Sequence, residues 1–238
     1  AVLDQAFGRL PRTPVVVKPL EAYQEKDAPM AYYYSAPQDG SRPGIYYINT
    51  YQPATRPLYI MAVLAYHEAV PGHHLQISLA AENKELPVFQ REFGQTAFVE
   101  GWALYSERLA DEMGLYETRW EKLGALIFEM WRACRLVVDT GMHTKGWTRQ
   151  QALDFLSLHT GKHESEAANE IDRYIVWPGQ ALAYKVGQLE ILAMRAEARQ
   201  ELGDRFEIKG FHDELLRYGA MPMSTLWAVV RAWIKAQS

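Results

Sequence analysis

Three of the seven histidines in this 238-residue chain crowd into one run, Tyr66-His67-Glu68-Ala69-Val70-Pro71-Gly72-His73-His74-Leu75-Gln76. Two His at i, i+4 on a helix, with a Glu beside the first, can hold zinc from one helical face and keep the Glu as a general base. On an uninterrupted helix the spacing here does not serve. His73 would lie roughly 120° around from His67 and about 9 Å along the axis, and His74, on the same face, about 10.5 Å along it. Both imidazoles must come within about 2.1 Å of one ion. Pro71 and Gly72 supply the remedy: proline has no amide for the His67 carbonyl and crowds that turn, and glycine tolerates the dihedrals of a bulge. The sequence therefore predicts a two-residue bulge that restores an effective i, i+4 relation between His67 and His73. His73 is the preferred second ligand. His74 is the alternative, or else a contact to substrate or to a neighbouring side chain.

A tetrahedral catalytic zinc site needs a third protein ligand and one open position. Glu100, in Phe98-Val99-Glu100-Gly101-Trp102-Ala103-Leu104-Tyr105, has no other charge between Glu92 and Glu107, and its neighbours Phe93, Ala97, Phe98, Trp102 and Leu104 are apolar. A lone carboxylate there is costly unless something pairs with it, and a metal would. The competing reading is a solvated stripe of Glu100, Glu107 and Asp111, which share one angle of the helix. A developing oxyanion needs a donor besides the metal. His143, with Asp139 at i−4 to orient its ring, Tyr184 and Arg173 are the candidates, and Tyr174 is a candidate substrate contact; each is equally readable as a structural hydrogen bond or surface residue. His159, His163 and His212 read as surface or capping residues, and Cys134 as a small buried hydrophobe.

The elements that must position these groups fall into two regions. Eight prolines between Pro11 and Pro57 leave no room for a long helix before Leu58. Within that region the aromatic runs Ala31–Ser35 and Gly44–Thr50, separated by turn residues, read as a hairpin or two sheet strands. An exposed edge of Gly44–Thr50, with Tyr47, could take an extended peptide by β-augmentation, unless both strands are internal to a sheet. From Leu58 the pattern is helical: Leu58–Leu79 broken at Pro71-Gly72, then Phe89–Met113, Tyr116–Gly141, Thr148–His159 with Thr148 as N-cap, Glu164–Val176, Gly179–Leu202, Phe211–Tyr218 and Ser224–Ala236. The expected fold is mainly α, a helical bundle with a small N-terminal β-hairpin or sheet, in one catalytic domain over 1–238.

Composition narrows the function. With 48% hydrophobic and 23% charged residues and a mean hydropathy of −0.27, the chain is ordinary globular material rather than a disordered or disulfide-built one. Its 25 basic and 29 acidic side chains give a net charge of −4, so no basic surface offers itself to a nucleic-acid backbone. The longest apolar stretch, Pro57–Tyr66, is too short to cross a bilayer. No export leader is visible, and the first Met is Met30, which suggests a processed product or the C-terminal part of a longer protein. Compartment and oligomeric state are not legible. A Gly-x-Ser-x-Gly elbow and glycine-rich nucleotide loops are absent.

His-Glu-Ala-Val-Pro-Gly-His-His-Leu-Gln, the later Glu-Gly-Trp, Arg-Leu-Val-Val-Asp-Thr-Gly-Met-His at 135–143 and Trp-Pro-Gly-Gln-Ala-Leu-Ala-Tyr at 177–184 resemble the bacterial domain of unknown function 885 family, grouped with the gluzincin metallopeptidases. The likeness runs from about Phe7 to Leu226. It implies a zincin-like architecture, and an N-terminal helical half outside this chain. A weaker likeness to thimet-oligopeptidase-type enzymes rests on Gly72-His73 after the His-Glu, and on Glu100 standing two residues before Trp102. The two likenesses imply zinc ligation by His67, His73 and Glu100 and a base role for Glu68. Two extra residues before Gly72-His73 depart from the peptidase pattern and leave open which histidine binds. The expectation is a zinc-dependent hydrolase of peptide bonds, in short peptides if the bundle forms a deep cleft. Its rivals are a zinc hydrolase of another amide or ester and a non-catalytic metal-binding module. The partner expected is a peptide or other small amide.

Overall fold

Val15-Val16-Val17, three β-branched residues closed off by Pro14 and Pro19, form a strand that composition alone does not announce. The computed structural model describes residues 2–26, 28–92 and 94–237, with the backbone alone at Thr55. It places this strand, β1 (Val15–Pro19), with β2 (Ala31–Tyr34) and β3 (Gly44–Ile48) in one sheet of order β1-β3-β2. β3 pairs antiparallel to β2, with Tyr32 opposite Tyr47, and parallel to β1, with Val17 opposite Tyr46. The expected hairpin is therefore present but extended by a third strand, and β3 is the middle one. Both of its edges are occupied by sheet hydrogen bonds, so the expectation that Gly44–Thr50 offers an edge to a peptide is corrected. Buried Ala31 and Tyr46 pack with Ile60, Val63 and Leu64.

Among the described residues ten helices follow: α1 (Met61–Glu68), α2 (His73–Glu82), α3 (Val88–Glu92), α4 (Thr96–Glu112), α5 (Arg119–Lys145), α6 (Arg149–Thr160), α7 (Glu164–Val176), α8 (Ala183–Leu202), α9 (Ile208–Leu216) and α10 (Met223–Gln237), with short 3-10 turns before α1 and α8. The segment expected over Phe89–Met113 is two helices, α3 and α4. Thr148 caps α6 as expected, in a capping box with Gln151, and Thr118 and Glu121 do the same for α5. Among the described residues no helix is long and apolar enough to cross a membrane.

Two hydrophobic clusters fill the interior. One joins Leu75 of α2, Phe98, Trp102, Tyr105 and Leu109 of α4, and the inner faces of α8, α9 and α10. The other joins α1, α5, α6 and α7 beneath the sheet. α4 serves both, since its Ala110 belongs to the second. It lies against α8 backbone to backbone: a Cβ added at Gly187 would fall 1.9 Å from the Ala97 carbonyl, and one at Gly101 2.5 Å from the Gly187 Cα. That contact fixes the helix that carries Glu100.

Candidate metal centre and adjoining cavity

Between α1 and α2 the helix ends and restarts, where a bulge within one helix is expected from the sequence. Ala69 (φ −100°, ψ −109°) and Gly72 (φ −76°, ψ −131°) leave helical space, and the next turn starts again with His74 N–H donating to the Ala69 carbonyl at 3.1 Å. Glycine is needed at 72 for room rather than for a rare dihedral, because a Cβ there would lie 1.9 Å from the His67 carbonyl oxygen. The Pro71 carbonyl accepts hydrogen bonds from Trp102 Nε1 (2.9 Å) and Ser106 Oγ (3.3 Å). α4 therefore grips the break with one face and presents Glu100 and Glu107 to it from another.

The result brings His67, His73 and Glu100 together. The two imidazoles meet edge to face with centroids 4.7 Å apart. Glu100 Oε2 lies 3.6 Å from His67 Nε2 and 3.4 Å from His73 Nε2, and the three ligand atoms all fall within 4.8 Å of one another. Good N–H···O bonds are about 2.9 Å long. The edge of a tetrahedron around an ion with bonds of about 2.0–2.1 Å is about 3.3–3.4 Å. The separations match the second length, and Glu100 Oε2 is buried without a hydrogen-bond partner. Two imidazole nitrogens and a carboxylate oxygen are a donor set suited to a divalent cation, so these residues fit a zinc ion. Among the described residues no other three His, Cys, Asp or Glu side chains are so disposed.

Charge around the cluster is concentrated. Burial works against an imidazolium at His67, but the carboxylates of Glu100 and Glu107 outweigh it and push the ring up to about 9. Burial likewise works against a carboxylate at Glu100, and the two imidazoles outweigh it, holding Glu100 well below its ordinary range. His67 Nδ1 donates to Glu107 Oε1 at 2.7 Å, which leaves Nε2, facing Glu100, as the nitrogen that would give up its proton to a metal. His73 Nδ1 has no such acceptor.

A cavity of about 560 Å³ adjoins the cluster, lined by His67, Glu68, Arg132, Arg135, Arg173 and Tyr184 among others. A second, of about 490 Å³ between Arg12, Tyr33 and Glu82, includes none of the candidate residues. The Tyr184 ring stacks near that of His67, centroids 6.2 Å apart. Arg173 Nη2 donates to Gln180 Oε1 (2.7 Å) and Gln180 Nε2 to the Tyr184 oxygen (3.4 Å), so the Tyr184 proton remains to be given elsewhere.

Other candidates lie apart. His74 spends both ring nitrogens on the protein, Nε2 on the Thr13 carbonyl (3.0 Å) and Nδ1 on the Tyr33 hydroxyl (2.9 Å), and offers neither metal nor substrate a free nitrogen. Exposed His143, near the end of α5, donates to the Tyr174 carbonyl (2.9 Å), and Asp139 accepts from Gly179 N–H instead of orienting that ring. Tyr174 is buried, its hydroxyl tied to Arg135, Trp131 and Glu170. Tyr47 stacks on Tyr32 across the sheet. His212, expected at the surface, is wholly buried between Tyr105 and the Ala6 carbonyl. His163 caps α7, His159 is exposed and Cys134 is buried. Phe93, expected beside Glu100, lies outside the described residues. Three residues of the site escaped sequence reasoning: Glu107, Arg132 and Arg135. For Glu107 the available signal is its place two turns after Glu100; for the arginines, their i, i+3 spacing around Trp131.

Fold and site together define a mainly helical protein with a small mixed sheet and a His-His-Glu cluster beside a cavity. The chain belongs to the family described as "Bacterial protein of unknown function (DUF885)", which it matches over residues 1–230. It is similar to a candidate lipoprotein of Colwellia psychrerythraea, with a TM-score of 0.97 and 45% identity over 99% of this chain and 40% of that one. It is also similar to a candidate lipoprotein of unknown function from Shewanella oneidensis, with a TM-score of 0.81 and 25% identity over 96% of this chain and 42% of that one. The chain thus spans about two fifths of the length of these two structures. No curated protein matches it.

Proposed function

We propose that this chain is a zinc-dependent peptidase of zincin-like, gluzincin type, cleaving short peptides in the cavity beside His67 and Glu68. The observation that carries the reading is the pair of separations from Glu100 Oε2 to His67 Nε2 and His73 Nε2, which lie nearer the edge length of a metal tetrahedron than a hydrogen-bond length. Three protein ligands with a fourth position open suit catalysis; a structural site takes four. Bound zinc would supply Lewis acidity to a water molecule and to the scissile carbonyl. In this reading Glu68, beside His67 on the cavity wall, takes a proton from the attacking water and returns it to the departing nitrogen. Tyr184, held by Gln180 and through it by Arg173, gives its phenolic hydrogen bond to the developing oxyanion.

The test is metal analysis of the freshly purified chain paired with cleavage of a mixed peptide library. One zinc per chain is expected. Glu68→Gln is expected to keep the metal and to lower turnover by about 100- to 10,000-fold. Hydrolysis at the wild-type rate in Glu68→Gln would sink the mechanism, and failure of His67 or His73 variants to lower zinc content would sink the site.

A further inference from the structure

Arg132 and Arg135 stand three residues apart on α5 and line the same cavity as His67, Glu68 and Tyr184. Both are almost completely buried, at 4% and 1% exposure. A buried guanidinium is ordinarily covered by acceptors, because its charge has been taken out of water. Here the cover is partial. Arg135 donates Nε to the Tyr174 hydroxyl (2.7 Å) and Nη2 to Glu170 (3.0 Å). Arg132 reaches only Glu107, at 3.6 Å through Nη2, beyond a good hydrogen bond. The rings of Phe128, Trp131 and Tyr184 hold the two planar groups in place. Among the described residues, Arg132 Nε and Nη1 and Arg135 Nη1 meet no acceptor. Three charged donors from two adjacent planar forks suit a group with two coplanar oxygens and one negative charge, which is a carboxylate. The other charged side chains of the lining, four basic and four acidic, balance, so the excess charge in the cavity is that of Arg132 and Arg135.

Tyr184 measures the distance to the metal cluster. Its ring centre lies 6.2 Å from that of His67 and 4.4 Å from the Arg135 guanidinium carbon. A carboxylate held by the arginines is therefore within about three extended residues of His67.

We propose that Arg132 and Arg135 bind the free carboxylate of a short peptide, so that the enzyme reads its substrate from the carboxy terminus and releases about three residues or fewer from that end. This rests on the peptidase reading above and adds the substrate class. The carboxylate could come from the chain terminus or from an acidic side chain, and the experiment separates the two. Binding to the zinc-loaded Glu68→Gln chain is measured by calorimetry for N-acetyl-Ala-Ala-Ala as the free acid, for its C-terminal amide, and for the amide of N-acetyl-Ala-Ala-Glu. The free acid is expected to bind at least 10-fold more tightly than either amide. Arg132→Gln, checked for folding by circular dichroism, is expected to bring the acid to the level of the amides without weakening the amides. Arg135→Lys, which keeps the charge and loses the fork, gives the same readout if Arg132→Gln does not fold. Equal binding of acid and amide, a preference for the glutamyl amide, or an acid preference that survives in the folded arginine variant would overturn the proposal. If the wild-type chain with zinc cuts none of these peptides while the acid preference holds and depends on Arg132, the carboxylate site stands and the peptidase reading falls.

Discussion

His67 faces a carboxylate at each ring nitrogen, and the two carboxylates do different work. Glu100 faces Nε2 together with His73, whereas Glu107 accepts the Nδ1 proton at 2.7 Å and so fixes which nitrogen presents its lone pair to a metal. Glu107→Gln keeps the shape and removes the charge. It is expected to weaken zinc binding by about 10- to 100-fold in a chelator competition with the fold unchanged, and unaltered affinity would refute the role. The residues of this cluster were unevenly legible. His67, Glu68 and His73 stand out by type and spacing, whereas Glu100, which alone reads as part of a solvated stripe, stands out only beside them. Glu107 shares an angle of α4 with Glu100 and Asp111, and sequence position alone does not say what lies across from a helix. The solvated stripe holds only for Asp111, which is exposed and pairs with Lys122 at 3.0 Å. The choice between His73 and His74 turned on the Thr13 carbonyl and the Tyr33 hydroxyl, both more than forty residues before His74.

At the scale of elements, α4 depends on its seam with α8. Gly187 leaves no space for a methyl group against the Ala97 carbonyl, so Gly187→Ala must push the two helices apart. Overfilling of this kind costs about 1–3 kcal/mol, toward the upper end where backbone rather than a mobile side chain must yield. Urea unfolding is expected to show that loss, and zinc affinity should fall with it because Glu100 rides on the displaced helix. A stability within about 0.5 kcal/mol of wild type, the range of ordinary surface substitutions, would show that the seam yields easily. Long helices such as α5 and α8 were readable from their apolar period, and the α6 cap from Thr148 and Gln151. β1 was not. It has only five residues, and it pairs with a strand that begins at Gly44, so its existence depends on a non-local ladder that no local pattern encodes. The same pairing converts β3 from an expected edge into a middle strand.

At the scale of the whole molecule, the buried imidazole of His212 ties the N-terminal segment to the interior. Its Nδ1 donates to the Ala6 carbonyl (2.8 Å), its Nε2 accepts from Tyr105 (2.7 Å), and burial drives its pKa down to about 3. The unfolded chain takes up this proton as pH falls through about 6.5, while the folded one does not until near 3, so the unfolded state binds more protons throughout that window. Stability is therefore full above about 6.5 and declines below it. By pH 5 the loss from this group alone comes to about 2 kcal/mol. Denaturant unfolding at pH 7 and pH 5, with chelator present, should show that difference shrink by a comparable amount in His212→Gln; an identical pH dependence in the two chains would contradict it. Glu107 offers a different kind of connection, since its Oε1 lies 2.7 Å from His67 Nδ1 and 3.6 Å from Arg132 Nη2. On the proposed reading, a dication on the far side of the imidazole would draw that carboxylate's charge toward itself and leave the guanidinium hungrier for an anion. Thermodynamic linkage would make such an influence mutual: the factor by which the ion tightens a peptide bound through its terminal carboxylate is the factor by which that peptide tightens the ion. On the proposed reading, a zinc ion would then be held most firmly while a peptide is bound.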